Sequence, residues 1–542
     1  MKFLFVLQYP GYLRYFDSVV EALLTRGHQV SVAFDQPHKQ AEGLAAFKAS
    51  GRAVEVLGRT PVRADVWEPV ARGGRGAGGY IRYLHPRFAD SPYLRNRMRK
   101  VLPPLTRFLG RWQMSTEGKT RRLLALLDAC ERAIPSNKNL DSFLQQVSPD
   151  VLIVSPLVTD QCPQVDMIKS ARRVGIPSVL GVASWDHLTT KGLMRIQPDL
   201  VTLWNHHQRR EAIEFHAASG DRIAITGAQC FDRWFDRKPR LSRERFCRRV
   251  GLPVDEAFIV FVGSTASISA PDTEVRFVKR WIEAIRLGPG TLSTLGILIR
   301  PHPYNSNHWQ NVDLTGYRSV VVFPNQGANP VDDDDRADYY DTLHHSMAVV
   351  GINTSAMIEA GIQDRPVFTI IDSSFDRTQT GTLHFQYLLP ENGGHLQRAT
   401  SLDEHVSQLV SIIDTGGSHS SRRFIEAFVR PHGFDVPATP RFVTALEGLD
   451  HVAPIPPDAV SGLLVPLKAF LWAIGLAASR KRLKKRLIRF MINRWGRLKQ
   501  EWRLPRLSRT IERPQLTKAA LDAVSASGDV PKTQSEQSQN PR

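Results

Sequence analysis

The chain is short of cysteine, of acidic residues and of long apolar runs, and each shortage excludes something. Four cysteines in 542 residues (Cys130, Cys162, Cys230, Cys247) are scattered without a CxxC pair. That excludes a disulfide scaffold and a structural zinc site, and suits a reducing compartment. The first apolar run, Phe3–Leu7, is five residues long and meets Gln8, Pro10 and Gly11. A signal peptide needs ~7–15 apolar residues, so the run reads as a buried strand of a cytoplasmic protein. Val460–Ala478 is 19 residues, just long enough to span a bilayer, but Pro466 and Lys468 interrupt it and only Ala469–Ala478 is unbroken.

What is present is an ordinary globular composition, 42% hydrophobic and 23% charged, in a basic chain of net charge +18. A single core stops growing near ~250–300 residues, so the length implies two domains and an extension. The charge is localised: residues 451–542 carry +12 and residues 71–122 carry +11, leaving a body of about −5. Two basic patches on a mildly acidic body suit an anionic surface or ligand, nucleic acid or anionic lipid.

Lys2–Leu7, a helical pattern over Asp17–Arg26 and Val30–Phe34 read as β-α-β, the start of a parallel sheet. Strand-like runs recur at Val54–Leu57, Val151–Ser155, Ser178–Val182, Leu200–Trp204 and Arg222–Thr226. Residues 237–253 read as a connector. The pattern restarts at Phe258–Val262, Ile297–Arg300, Val320–Phe323, Ala348–Gly351 and Pro366–Ile371, with a helix at Ser355–Ile362. Two α/β halves of similar size result, over 1–240 and 254–440. A basic, amphipathic segment over 451–515 and a disordered tail over 516–542 follow.

In doubly wound sheets ligands bind beyond the carboxyl ends of the strands, so residues just after strands carry most weight. Gly263-Ser264-Thr265 lets the backbone approach a phosphate and offers hydroxyls; a plain turn has the same composition. Arg300-Pro301-His302-Pro303 holds a histidine rigidly at a strand end, where it can donate to a phosphate or a leaving diphosphate. Asn353-Thr354-Ser355 starts a helix whose dipole attracts an anion, and Glu359, one turn on, can accept ribose hydroxyls. Ser184-Trp185-Asp186-His187-Leu188-Thr189-Thr190-Lys191-Gly192 offers an acid, an imidazole and an amine in one strand-end loop. Asp332–Asp335 reads as a solvated loop, Gly73–Gly79 as a mobile loop, and His206-His207 and His344-His345 lack metal-ligand spacing.

These stretches, with Thr226-Gly227-Ala228 and Phe231-Asp232, resemble bacterial glycosyltransferases of the GT-B architecture, more narrowly the CDP-glycerol glycerophosphotransferase and capsule polysaccharide transferase group, over residues 1–440. The resemblance implies two Rossmann-like domains facing a cleft, the first for the acceptor and the second for a nucleotide-activated donor. It places Gly263, Ser264, Thr265, Arg300, His302, Asn353, Thr354, Ser355 and Glu359 on the donor. Asp186 is expected, by position, to take the acceptor's proton. Neither a metal nor a cofactor is expected, because helix dipole and basic side chains neutralise the leaving phosphate.

The expected reaction moves a glycosyl or glycerophosphate group to a surface or lipid-linked glycan. A nucleotide-sugar 2-epimerase and a non-catalytic nucleotide- or membrane-binding relative are the alternatives. Lys191 is expected on the acceptor or membrane side. Phe470 and Trp472 are expected to insert into a membrane interface, with Arg480, Lys481, Arg482, Lys484 and Lys485 on anionic headgroups; the competing expectation packs that helix on the body. Nucleic acid is not expected as a partner, and the location implied is the inner face of the cell membrane.

Overall fold

The computed structural model describes residues 1–480 except 50, 113–114, 331, 416–419 and 459–463. Lys481, Arg482, Lys484, Lys485 and the 516–542 tail therefore lie outside the described residues. The fold is contained in Met1–Ala477.

Apolar runs become central strands buried on both faces, and the strands at the sheet edges are only partly buried. β1 (Lys2–Leu7), β2 (Gln29–Phe34), β3 (Val54–Arg59), β4 (Val151–Ser155), β5 (Ser178–Gly181), β6 (Leu200–Leu203) and β7 (Ile223–Ile225) form one sheet. β8 (Phe258–Val262), β9 (Gly296–Arg300), β10 (Val320–Val322), β11 (Ala348–Gly351), β12 (Val367–Ile370) and β13 (Gln397–Ala399) form the second. The orders are β3-β2-β1-β4-β5-β6-β7 and β10-β9-β8-β11-β12-β13. Every pairing is parallel, with Phe3 opposite Val30 and Val151 in one sheet and Ile259 opposite Ile297 and Ala348 in the other. Both sheets thus have the doubly wound order, with switch points between β1 and β4 and between β8 and β11. This is the α/β architecture of two doubly wound sheets that the sequence implies.

Four segments differ from expectation. The 237–253 stretch carries a helix, Arg243–Val250, whose Phe246, Cys247 and Val250 pack with Phe258 and Val260 of the second sheet. Its positions 246, 247 and 250 recur at helical spacing, which the basic residues between them obscured. The chain also returns to the first sheet at its end: the helix Ala438–Glu447 places Phe442 against Phe16, 6.1 Å between ring centroids. Asp232 ties this return, accepting from the backbone N–H groups of Ala438 (3.0 Å) and Thr439 (2.6 Å) and from Arg430 (3.1 Å). Asp332–Asp335, expected as a loop, begins the helix Asp333–His344, with the Asp332 carboxylate accepting from the Asp335 N–H at 2.8 Å. Acids at an N-cap and in a first turn suit the helix dipole.

The Gly73–Gly79 run is no loop. It lies in the helix Glu68–Arg82, between β3 and β4. A Cβ at Gly76 would sit 2.5 Å from Pro103, and one at Gly79 2.6 Å from Met98. The glycines are there so that neighbouring chain can lie flush on the helix, which offsets their poor helix propensity.

Candidate functional site

The two switch points face one cleft of about 430 Å³. The turn after β8 gives it Gly263 and Thr265; β9 and the turn after it give Arg300, His302 and Tyr304; the β11 turn gives Thr354, Ser355 and, within its helix, Glu359. The first sheet gives Tyr9, Tyr12, Arg14 and Tyr15 after β1, and Asp186, His187 and Lys191 after β5. Seven of the nine donor residues expected from sequence are thereby brought together.

Gly263 is required where it stands. A Cβ there would lie 2.8 Å from the backbone nitrogen of His302, so the turns after β8 and β9 touch through a missing side chain. His302 Nδ1 accepts from the N–H of Tyr304 at 3.1 Å. The ring proton is thus on Nε2, which makes the histidine a donor. Burial, with a smaller push from Arg14, lowers its pKa to about 4, so it donates as a neutral imidazole at pH 7. Arg300 is buried; its Nη1 donates to Thr342 at 2.9 Å and its guanidinium lies 4.7 Å from the Tyr339 ring centroid. Burial lowers its pKa to about 10, which leaves it charged. Among the described residues no carboxylate pairs with it. Tyr339 donates to Glu359, whose carboxyl is raised by burial.

Ser264 and Asn353, also expected on the donor, do not line the cleft. Both are buried. The Ser264 N–H donates to Glu274 at 3.1 Å and its hydroxyl to the Asn353 carbonyl at 3.4 Å, while Asn353 Nδ2 lies 3.3 Å from His384 Nε2. Their polar groups hold the two turns in shape. The helix after β11 is Ala356–Ile362, and Ser355 makes no side-chain cap. Instead Ser355 Oγ accepts from Trp185 Nε1 of the opposite wall at 3.2 Å, leaving its proton for a ligand.

Asp186 does not fit the role of base. Ser184 donates to one oxygen at 2.6 Å and Thr190 to the other at 2.8 Å, with Lys191 Nζ 4.0 Å away. Burial opposes ionisation, but Lys191, His187, His384 and Ser184 outweigh it and hold the carboxyl well below its usual range. So weak a base is a poor proton acceptor. Its geometry serves to order the 184–192 loop and hold Lys191 at the cleft.

Several cleft residues had no motif to announce them. Arg14 lies over Tyr15, 4.7 Å from its ring centroid, and donates to the Tyr15 hydroxyl at 2.6 Å; among the described residues it has no ion pair. Asp17 pairs with Arg233 (3.0 Å) and Arg336 (3.5 Å). The available signal was position: Tyr9 to Tyr15 directly follow β1, at the first switch point. Among the described residues no group of His, Cys, Asp or Glu is arranged to hold a metal ion.

No family model matches the sequence, and no curated protein matches it. Among solved structures the chain is similar to a UDP-GlcNAc 2-epimerase from Methanocaldococcus jannaschii, at 11% identity and a TM-score of 0.48, covering 83% of this chain and 100% of that one. It is similar to a glycosyltransferase from Rickettsia africae ESF-5, at 9% identity and a TM-score of 0.46, covering 83% and 99%. It is also similar to a variant of the wall teichoic acid polymerase TagF, at 10% identity and a TM-score of 0.39, covering 83% and 89%.

Proposed function

We propose that the chain is a GT-B transferase that moves a glycosyl or glycerophosphate group from a nucleotide-activated donor to a surface or lipid-linked glycan, without a metal ion or cofactor. The observation that carries this is the meeting of Arg300, the Nε2–H of His302 and Arg14 at one cleft between two switch points. As the acceptor hydroxyl oxygen forms its bond, its proton passes to water in the cleft, the bond to the leaving phosphate oxygen breaks and that oxygen keeps the electron pair. Two fixed cations and an imidazole donor face the growing negative charge in a partly desolvated cleft, where they act most strongly. Gly263 lets backbone approach the same phosphates, and Ser355 and Thr354 offer hydroxyls. Glu359 is the carboxyl for the ribose. The enzyme works at the inner face of the cell membrane, with the basic segment after Arg480 on anionic lipid.

A second reading, a nucleotide-sugar 2-epimerase, is favoured by Glu359, an acid with a raised pKa inside the same cleft. Incubation with a single nucleotide sugar and no acceptor separates the two: an epimer supports the second reading, and turnover only with acceptor supports the first. Binding without turnover across an acceptor panel leaves a non-catalytic relative.

The donor test is thermal stabilisation by CDP, CMP, UDP, GDP and dTDP on wild type and His302→Ala. One nucleotide stabilising the wild type and not the variant supports the proposal. No stabilisation by any of them removes it.

A further inference from the structure

The glycine-rich helix Glu68–Arg82 presents Gly73, Gly76 and Gly79, three residues apart, on one face. Leu105, Pro103 and Met98 rest on them: a Cβ at each would meet these side chains at 3.1, 2.5 and 2.6 Å. The segment seated this way follows the helix Pro92–Lys100 and ends in the 3-10 turn Arg107–Arg111. Leu102 and Leu109 point inward and are buried. The Trp112 carbonyl accepts from Tyr80 of the same glycine helix at 2.5 Å. A flush inner face leaves the outer one displayed: Val101, Phe108 (61% exposed) and Trp112 (41% exposed) face solvent. Between them Arg99, Lys100, Arg107 and Arg111 are also exposed, and residues 95–112 contain no acid.

A second apolar strip rests on the opposite face of the same helix, at its N-terminal end. Leu467, Leu471 and Ile474 of the helix over 464–480 pack with Trp67, Val70 and Ala71. A Cβ at Gly475 would lie 3.4 Å from Val70 Cγ2. Its other side leaves Phe470 (63% exposed) and Trp472 (45% exposed) in solvent. So this helix both packs on the body and displays the aromatics expected to insert. Among the described residues no helix is long and apolar enough to cross a membrane.

We propose that residues 99–112 form a docking surface for an anionic lipid bilayer. Aromatic side chains interleaved with arginine and lysine, with no acid, match the boundary between acyl chains and anionic headgroups. The surface leads to the cleft: Arg97 donates to the Thr190 carbonyl, beside Lys191. That an acceptor reaches the first-sheet wall from the bilayer rests on the transferase reading; bilayer binding itself does not.

The test is co-sedimentation of the full chain with phosphatidylglycerol–phosphatidylcholine vesicles, against phosphatidylcholine alone. The wild type is expected to bind the anionic vesicles. F108S/W112S is expected to weaken that binding about tenfold, and R107E/R111E to lower the salt concentration at which the chain is released. Unchanged melting temperature and unchanged far-UV circular dichroism certify the fold of each variant. Wild-type binding by F108S/W112S, with loss only in F470S/W472S or on deletion of 481–542, overturns the proposal in favour of the C-terminal segment. A wild-type dimer broken by F108S/W112S without any vesicle binding overturns it in favour of a second copy. No donor or acceptor is present, so failure of the transferase reading leaves this result untouched.

Discussion

The two walls of the cleft are built on opposite principles. The second-sheet wall is preorganised by burial: Arg300 lies under Tyr339, His302 is fixed as an Nε2 donor, and Gly263 is pinned against the next turn. The first-sheet wall is ordered by charge: Asp186 is locked between Ser184, Thr190 and Lys191, and Asp17 between Arg233 and Arg336. Arg14 on that wall has no ion pair among the described residues. A wall of fixed donors suits an invariant ligand, such as the diphosphate of a nucleotide donor. A wall of ion pairs can exchange partners as an acceptor enters. The largest losses should therefore follow changes to the second wall.

His302→Ala breaks the comparison most directly. It removes the only imidazole donor that the β9 turn holds, and kcat should fall by ~10²–10³, the range for losing one donor to a developing oxyanion. Steady-state kinetics with saturating donor measures it; a fall under tenfold would move the phosphate site elsewhere. Gly263→Ala comes next. Its Cβ meets backbone rather than a flexible side-chain tip, so the β9 turn must move, at a cost of ~1–3 kcal/mol in stability, with weaker nucleotide binding. Urea denaturation and the thermal-shift panel read both.

The contrast also explains what was legible. The second wall could be read because its residues fall within a few positions of strand ends, Gly263 after β8, His302 after β9 and Ser355 after β11, and the doubly wound order brings those ends together. Ser264 and Asn353 share that position but turn inward, and only the packing of one turn on the other decides which side chain faces the ligand. On the first wall position suggested the 184–192 loop, but Asp186 needed its neighbours: two hydroxyls and an amine make a strong acid of what looked like a base. Arg233 and Arg336 are far apart in sequence and meet only through Asp17. The glycine run over 73–79 misled because glycine signals a loop when read locally and a packing face when a second segment lies on it.

Arg14→Ala sharpens the comparison from the other wall. A single unpaired guanidinium facing the leaving group should cost ~10- to 100-fold in kcat/KM, more than Asp186→Asn costs in kcat if Asp186 only orders its loop. The reverse ranking would return the proton to Asp186. The pH dependence of stability gives a smaller effect. His302 titrates at about 4 in the fold against 6.5 unfolded. Between those values the unfolded chain holds a proton the native chain lacks, so stability falls as pH drops from about 6.5 to about 4 and levels off below. His302→Gln should remove this part of the slope, seen as a smaller loss of melting temperature between pH 6.5 and 4.

The smallest effect tests a hydrogen bond between the walls, from Trp185 Nε1 to Ser355 Oγ. Trp185→Phe removes the donor, keeps the aromatic packing on His384, 4.7 Å away between centroids, and leaves an accessible hydroxyl that water can satisfy. It should cost about 0.5–1.5 kcal/mol. Ser355→Ala instead strands the mostly buried indole N–H, and should cost more, ~1–3 kcal/mol. If donor binding closes the walls, the difference between the two variants should grow when nucleotide is present, because the bond is then protected from water. A double-mutant cycle on melting temperature, with and without nucleotide, measures that growth. An equal coupling in both states would mean that the walls meet without the ligand's help, and that the cleft is as rigid on its first-sheet side as on its second.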